Sequence, residues 1–300
     1  MELFALGEGH YTEKDITEAA RALTGWSLDR MNQKFIERPN LHDNGVKTVL
    51  GRTGNLNGVD VLEQIVYQPQ AAVFITAKIW NFYTGQLPSP ALNRALASEL
   101  RQAGNNFKPV LRTLFLCEEF YSPDIIRNQI KSPVQWLVGS VRMLETELPP
   151  PFVSSNLIRS LGQDLFAPPN VKGWDGGVAW ITTNNLLARY NEATALVQGD
   201  MSTVSGMAQA KNPNQTRAIQ NRLERIRIDG VNVEKIFSDM ERSNKEALIA
   251  ALEKRLLQSK LKEKQEKALH EYLDTKSELT DNDIRNAIRL VMSTPEYQVT

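Results

Sequence analysis

The chain is predicted to be mainly α, a multi-helical array with one small β-hairpin insertion. Three observations predict this. Apolar residues recur at helical spacing along most of the 300 residues. The periodic runs open on Ser, Thr or Asn and stop at Gly or Pro. Only residues 27–58 depart from that pattern, and there the departures are short β-prone runs.

The elements follow in order. YTEKDITEAARALTG starts on Thr12, with Asp15 three residues on to complete a capping box. Ile16, Ala19, Ala20 and Leu23 then form one apolar stripe, and Gly25 ends the helix. A short helix over residues 59–67 closes before Pro69, and AAVFITAKIWNFYTG repeats Ile75, Ile79 and Phe82 on one face. SPALNRALASELRQAG has Ser89 as cap and Pro90 at the first helical position. KPVLRTLFLCEEF follows, then SPVQWLVGSVRMLE with Ser132 and Gln135 as a capping box, then NLIRSLGQ and TTNNLLARYNEATALVQG. SNKEALIAALEKRLLQ offers a further box, Ser243 with Glu246. Between the first two helices, KFIE and KTVLG flank His42-Asp43-Asn44-Gly45. An Asn-Gly pair between β-prone runs predicts a hairpin near 34–51. The domain reading is a helical core over 1–200, a polar linker at 201–216, and a charged C-terminal helical segment at 217–300 that packs back on the core. LRTLFLCEEFYSP and IRLVMSTPEYQVT echo each other, each an aliphatic helix end followed by a glutamate and an aromatic residue.

Bulk properties narrow the function classes. Thirty-five basic and 35 acidic residues balance to zero net charge, which offers no phosphate-binding surface, so no nucleic-acid partner is expected. No apolar run approaches the ~20 residues of a bilayer span. The single cysteine, Cys117, reads as an inert core thiol on an apolar stripe. There is no Gly-rich phosphate loop, GxSxG, HExxH or CxxC, so no cofactor and no metal are expected. Asn214-Gln215-Thr216 fits a glycosylation triplet, a pattern common by chance.

Two constellations carry chemistry. His42 beside Asp43 supplies the residue types of a general base and its orienter, or of a metal-ligand pair; the same residues are turn chemistry with His42 merely packed or exposed. The second is residues 165–180, LFAPPNVKGWDGGVAW. Here Trp174 and Trp180 offer flat apolar faces, and Asn170, Lys172 and Asp175 interleave polar groups, an arrangement suited to a sugar ring or a peptide. The alternative is that both tryptophans plug the core and the glycines only turn the chain. Glu8, Glu13, Asp15 and Glu18 cluster near the start; Asp15 and Glu18 read as first-turn charges that suit the helix dipole, and the alternative, a calcium-binding carboxylate group, has no EF-hand spacing to support it.

MELFALGEGHYTEKDITEAARALTGW, HDNGVKTVLG, LRTLFLCEEFY with KSPVQWLVG, and PPNVKGWDGGVAWITTNNLLAR occur in this order. Together they resemble the bacterial family of unknown function numbered eighteen-hundred, over residues 1–198 and again at STPEYQ, with 200–285 fitting as a variable helical segment. The resemblance implies a further helical region upstream of Met1 with an export signal there, and hence a periplasmic or exported location. It also implies a partner, because members' genes often neighbour a second exported family similar to alkaline phosphatases and sulfatases. No established activity comes with it. Asp175 stands where a proline is common in the family, and Asn184-Asn185 where small hydroxyl residues are common.

Two functional readings result. The favoured one is a non-catalytic accessory or binding protein of the cell envelope, working with a phosphatase/sulfatase-like partner and binding through Asn170, Lys172, Trp174, Asp175 and Trp180. The other is a hydrolase acting on a carbohydrate or anionic polymer, with His42 as base, Asp43 as its orienter and Lys172 neutralising developing charge.

Overall fold

The computed structural model describes residues 1–200 and 229–300. The linker expected at 201–216 and the triplet at Asn214 lie outside the described residues. The chain forms two compact units, Met1–Ile126 and Arg127–Thr300. Within the second unit the described C-terminal helices share one apolar core with residues 136–197.

In the first unit a tight turn, Glu2–Leu6, buries Leu6 ahead of α1 (Glu13–Ala22). The predicted capping box forms: the Thr12 side chain accepts from the Asp15 N–H, and the Asp15 carboxylate accepts from the Thr12 N–H. The buried face of α1 is Ala19 and Ala22, whereas Ile16 and Leu23 of the expected stripe remain exposed. Two antiparallel ladders follow. β1 (Trp26–Asp29) pairs with β2 (Lys34–Glu37), and β3 (Lys47–Val49) pairs with β4 (Arg52–Gly54).

Both predicted β-prone runs are therefore strands, but they do not pair with each other across Asn44-Gly45. The two-residue hairpin turn sits at Leu50-Gly51, where both residues have positive φ (48° and 82°), as a type I′ turn requires. The 38–46 segment is held as a loop by side-chain bonds to α1. α2 (Gly58–Val66), α3 (Pro69–Thr84), α4 (Pro90–Gln102) and α5 (Phe107–Leu116) complete the unit around Trp80, Leu96, Leu100, Val110 and Leu114. Cys117 caps the end of α5, half-buried, with Sγ donating to the Leu114 carbonyl at 3.2 Å.

The second unit opens with α6 (Pro133–Met143), capped by the predicted Ser132–Gln135 box, then α7 (Pro151–Ser160) and α8 (Thr183–Gln198). After the undescribed residues come α9 (Val233–Ile236), α10 (Asp239–Ser243), α11 (Lys245–Leu252), α12 (Glu263–Asp274) and α13 (Asp281–Met292). The box predicted at Ser243 and Glu246 does not form. Ser243 ends α10 and donates to the Met240 carbonyl, Asn244 caps α11, and the box of this region is Ser238 with Glu241. Leu248, Leu252, Leu269 and Leu273 of the charged segment are buried beside Trp136, Leu157 and Leu196, so its charges occupy only one side of each helix. The sequence echo is a structural one. α5 and α13 each run into a 3₁₀ turn, Glu118–Tyr121 and Pro295–Gln298, whose aromatic residue packs inward. Phe120 meets Trp80 edge-on, and Tyr297 is fully buried.

Candidate functional site

The 42–48 loop is built from α1 outward. Arg21, in the last turn of α1, grips Asp43 with both arms: Nε to Oδ2 at 2.8 Å and Nη2 to Oδ1 at 3.2 Å. Its remaining nitrogen, Nη1, donates to both Glu18 oxygens at 3.0 Å. Glu18 in turn accepts the Thr48 N–H, and Asp15 accepts the Leu50 N–H at 2.7 Å, so both acidic residues fasten the β3 region to the helix. The Arg21 guanidinium holds the Asp43 carboxyl down at about 2 and lowers that of Glu18. Lys47 is 1% exposed and turns its ammonium back onto the carbonyls of Asp43 and Gly45.

Asp43 was expected to orient His42 and does not, because both of its oxygens are committed to Arg21, with Oδ1 also accepting the Gly45 N–H. His42 is oriented by the backbone instead. Its Nδ1 lies 3.0 Å from the Thr24 carbonyl, an acceptor only, which places a proton on Nδ1, so that in the neutral ring Nε2 is the acceptor.

Beside this loop is a pocket of about 170 Å³, lined among others by Trp26, Glu37, Arg38, His42, Asn44 and Asn57. Two glycines make it. Gly25, at φ 87°, lets the Arg38 carbonyl approach to where a Cβ would meet it at 2.8 Å. Gly58 lies so close to the Trp26 indole that a Cβ there would meet the ring at 2.4 Å. Trp26 Nε1 donates to Glu37 Oε1 at 3.0 Å, fixing both walls.

The 165–180 loop belongs to the second unit. Trp180 is 7% exposed and lies against Gly162, so this tryptophan packs and does not present a face. Trp174 is half-buried. Asn170 accepts the Lys172 N–H at 2.8 Å, closing a local turn, and Lys172 pairs with Asp175 at 3.2 Å on the surface. The polar residues singled out in the loop therefore serve one another. Its solvent face also carries large apolar side chains beside that pair: Phe166 is 99% exposed, Val178 81% and Val171 79%. Phe166 also stands at φ 63°, in the left-handed region. Asn185, at the start of α8, supports the loop's base by donating Nδ2 to the Leu161 carbonyl.

The chain matches the family model described as Protein of unknown function (DUF1800) over residues 1–299. It belongs to the DUF1800 family. The match runs through the segment at 200–285 that was expected to be variable. No curated protein and no solved structure matches the chain.

The DUF1800 chain also holds a polar cluster that sequence reasoning missed, in the core of the second unit. Arg189 on α8 is buried, donating Nη2 to the Lys131 carbonyl at 2.7 Å and Nη1 to Gln298 Oε1 at 3.0 Å. Lys131 donates Nζ to the Tyr297 carbonyl at 2.7 Å and lies 4.0 Å from that ring's centroid. Ser140 bonds the Tyr297 hydroxyl at 2.7 Å. Burial, with Arg127 and Arg189 nearby, pushes the Lys131 ammonium down to about 8. Burial likewise lowers Arg189 to about 10 and raises Tyr297. Every partner here is internal, and the bonds fasten the C-terminal turn, so the cluster reads as structural. Among the described residues no group of three or more His, Cys, Asp or Glu gathers as a metal site, and no helix is long and apolar enough to cross a membrane.

Proposed function

We propose that this DUF1800 protein is a non-catalytic accessory binding protein of the bacterial cell envelope, exported, and that its 165–180 loop docks an exported partner of the phosphatase/sulfatase-like class. The observation that carries this reading is Phe166, a large aromatic side chain 99% exposed at φ 63°. A bulky residue held in that region costs roughly 1–2 kcal/mol of backbone strain. No packing contact within the fold repays it, and Val171 and Val178 add exposed apolar surface on the same loop. Strain and exposure together mark a side chain kept for something outside the fold. The buried Trp180 supplies the rigid base from which a loop can present it. The hydrolase reading is weaker, because Asp43 is spent on Arg21 and Lys172 on Asp175.

Co-expression of the tagged chain with the phosphatase/sulfatase-like protein of the same genome tests the proposal. The wild-type chain is expected to retain that protein through purification, and Phe166→Asp to release it with an unchanged melting temperature. Absence of a complex, or a complex indifferent to Phe166→Asp, overturns the proposal.

A further inference from the structure

The pocket beside the 42–48 loop belongs to the first unit, and the backbone of one wall is held by several bonds. The backbone between Pro39 and Val46 is tied to α1 by the double-armed Arg21–Asp43 pair, to Thr24 by His42 Nδ1 and by the Asp43 N–H at 2.8 Å, and from below by the buried Lys47. These bonds commit Asp43, Lys47 and His42 Nδ1 to partners within the unit. What they leave facing outward is chemically mixed. The Arg38 guanidinium and His42 Nε2 have no partner among the described residues. Glu37 has one carboxylate oxygen committed to Trp26 and one left over. Asn57 uses its side-chain oxygen to cap α2, which leaves its amide N–H groups.

We infer that this pocket is a binding subsite for one neutral polyhydroxylated ring, a terminal sugar residue. Size is the first argument. A pocket of about 170 Å³ is well below the ~300 Å³ at which drug-sized ligands are enclosed, and it suits a single small ring. Donor–acceptor balance is the second. Each sugar hydroxyl both donates and accepts, and the walls offer acceptors at Glu37 and His42 Nε2 opposite donors at Arg38 and Asn57. Charge is the third: a carboxylate and a guanidinium on the same rim disfavour a simple anion or a simple cation. A metal ion is poorly served, since Glu37 and His42 are the only side chains of ligating type in the lining. Trp26 adds an aromatic wall of the kind that suits the apolar face of a sugar ring. Preorganisation of Trp26, Glu37 and His42 by their hydrogen bonds is the fourth argument, because a ligand meeting fixed groups loses less binding energy to ordering them.

The test uses the full 300-residue chain and the Trp26 indole N–H resonance, assigned with Trp26→Phe. Glucose, galactose and N-acetylglucosamine are titrated into the millimolar range, with sulfate and acetate as anion probes. At least one sugar is expected to move the resonance saturably. Arg38→Ala is expected to weaken that sugar about tenfold, the effect of losing one hydrogen bond to a charged group. Asn44→Ala, at an exposed position in the pocket lining, provides a second variant expected to weaken the same sugar. Phe166→Asp is expected to leave sugar binding unchanged, which separates this inference from the partner proposal. No shift with any of the three sugars, a shift that survives both Arg38→Ala and Asn44→Ala, or tighter binding of sulfate or acetate than of every sugar overturns it.

Discussion

The 42–48 loop of the first unit and the 165–180 loop of the second both set glycine among polar side chains, and they use them in opposite ways. In the first, the chemically versatile groups are committed to partners within the unit. Asp43 is held by Arg21, Lys47 by two backbone carbonyls and His42 Nδ1 by Thr24. In the second, one tryptophan turns inward and the apolar residues Phe166, Val171 and Val178 turn out. The contrast teaches that a residue type capable of catalysis is not evidence of catalysis until its partners are known. A histidine beside an aspartate suggests a dyad in one dimension. In three dimensions a single arginine on the neighbouring helix, 22 residues back in the chain, takes the aspartate away.

The largest expected effect concerns the anchor of the second loop. Trp180→Ala removes a buried aromatic ring, and such truncations cost about 3–5 kcal/mol. Chemical denaturation of the 300-residue chain is expected to show a loss in that range for the second unit, with new proteolytic cleavage inside 165–180. An unchanged unfolding curve would mean that Trp180 does not anchor the loop, and the opposition between the two loops would collapse.

The two units are next expected to separate by pH, because their charged anchors titrate at opposite ends of the scale. Asp43 has its carboxyl at about 2, below the ordinary 3.8, so the folded state binds fewer protons than the unfolded chain in that interval. The stabilisation from the clamp is therefore complete above the ordinary value and is lost as pH falls through about 2. The Asp43 amide, bonded to Thr24, is expected to lose its exchange protection over that interval in the wild type, and to lack that pH dependence in Arg21→Met. Lys131 runs the other way. Its ammonium is depressed to about 8 from 10.5, so between these values the unfolded chain carries the extra proton and stability rises with pH. At about 1.4 kcal/mol per pKa unit the gain is ~3 kcal/mol at most. Tyr297, raised above its ordinary 10, opposes the gain from pH 10 upward, so the window to read is 8 to 10. Urea unfolding of the wild type is expected to strengthen across that window, and that of Lys131→Met to stay flat. A wild-type profile as flat as the variant's would place the Lys131 ammonium in contact with water.

What could be read in advance divides by distance along the chain. The boxes at Thr12 with Asp15 and at Ser132 with Gln135 are contacts three residues apart, and both were legible. The box at Ser243 failed because two short helices meet there and Ser238 captures the role one turn earlier. The hairpin's turn was misplaced because Asn44-Gly45 is the stronger local turn signal, whereas Leu50-Gly51 makes the turn with a leucine at positive φ, a placement that propensity argues against. The polar cluster of the second unit was out of reach altogether. Arg189 meets Lys131 across 58 residues, and Lys131 meets Tyr297 across 166. The pocket walls were visible only as scattered residue types until Gly25 and Gly58 brought them together.

The smallest expected effect on stability is the most informative for the comparison. Phe166→Gly relieves a left-handed backbone strain of roughly 1 kcal/mol. Glycine also gives the unfolded chain more freedom, which takes back about 0.5–1 kcal/mol. The two terms nearly cancel, and the exposed ring contributes no burial to lose, so the unfolding free energy is expected to move by less than ~0.5 kcal/mol. Retention of the proposed phosphatase/sulfatase-like partner is expected to fall sharply in the same variant. That combination assigns the strain at Phe166 to recognition rather than to folding. A destabilisation above 2 kcal/mol with partner retention intact would instead make Phe166 a packing residue, and both loops would then serve only to hold their own units together.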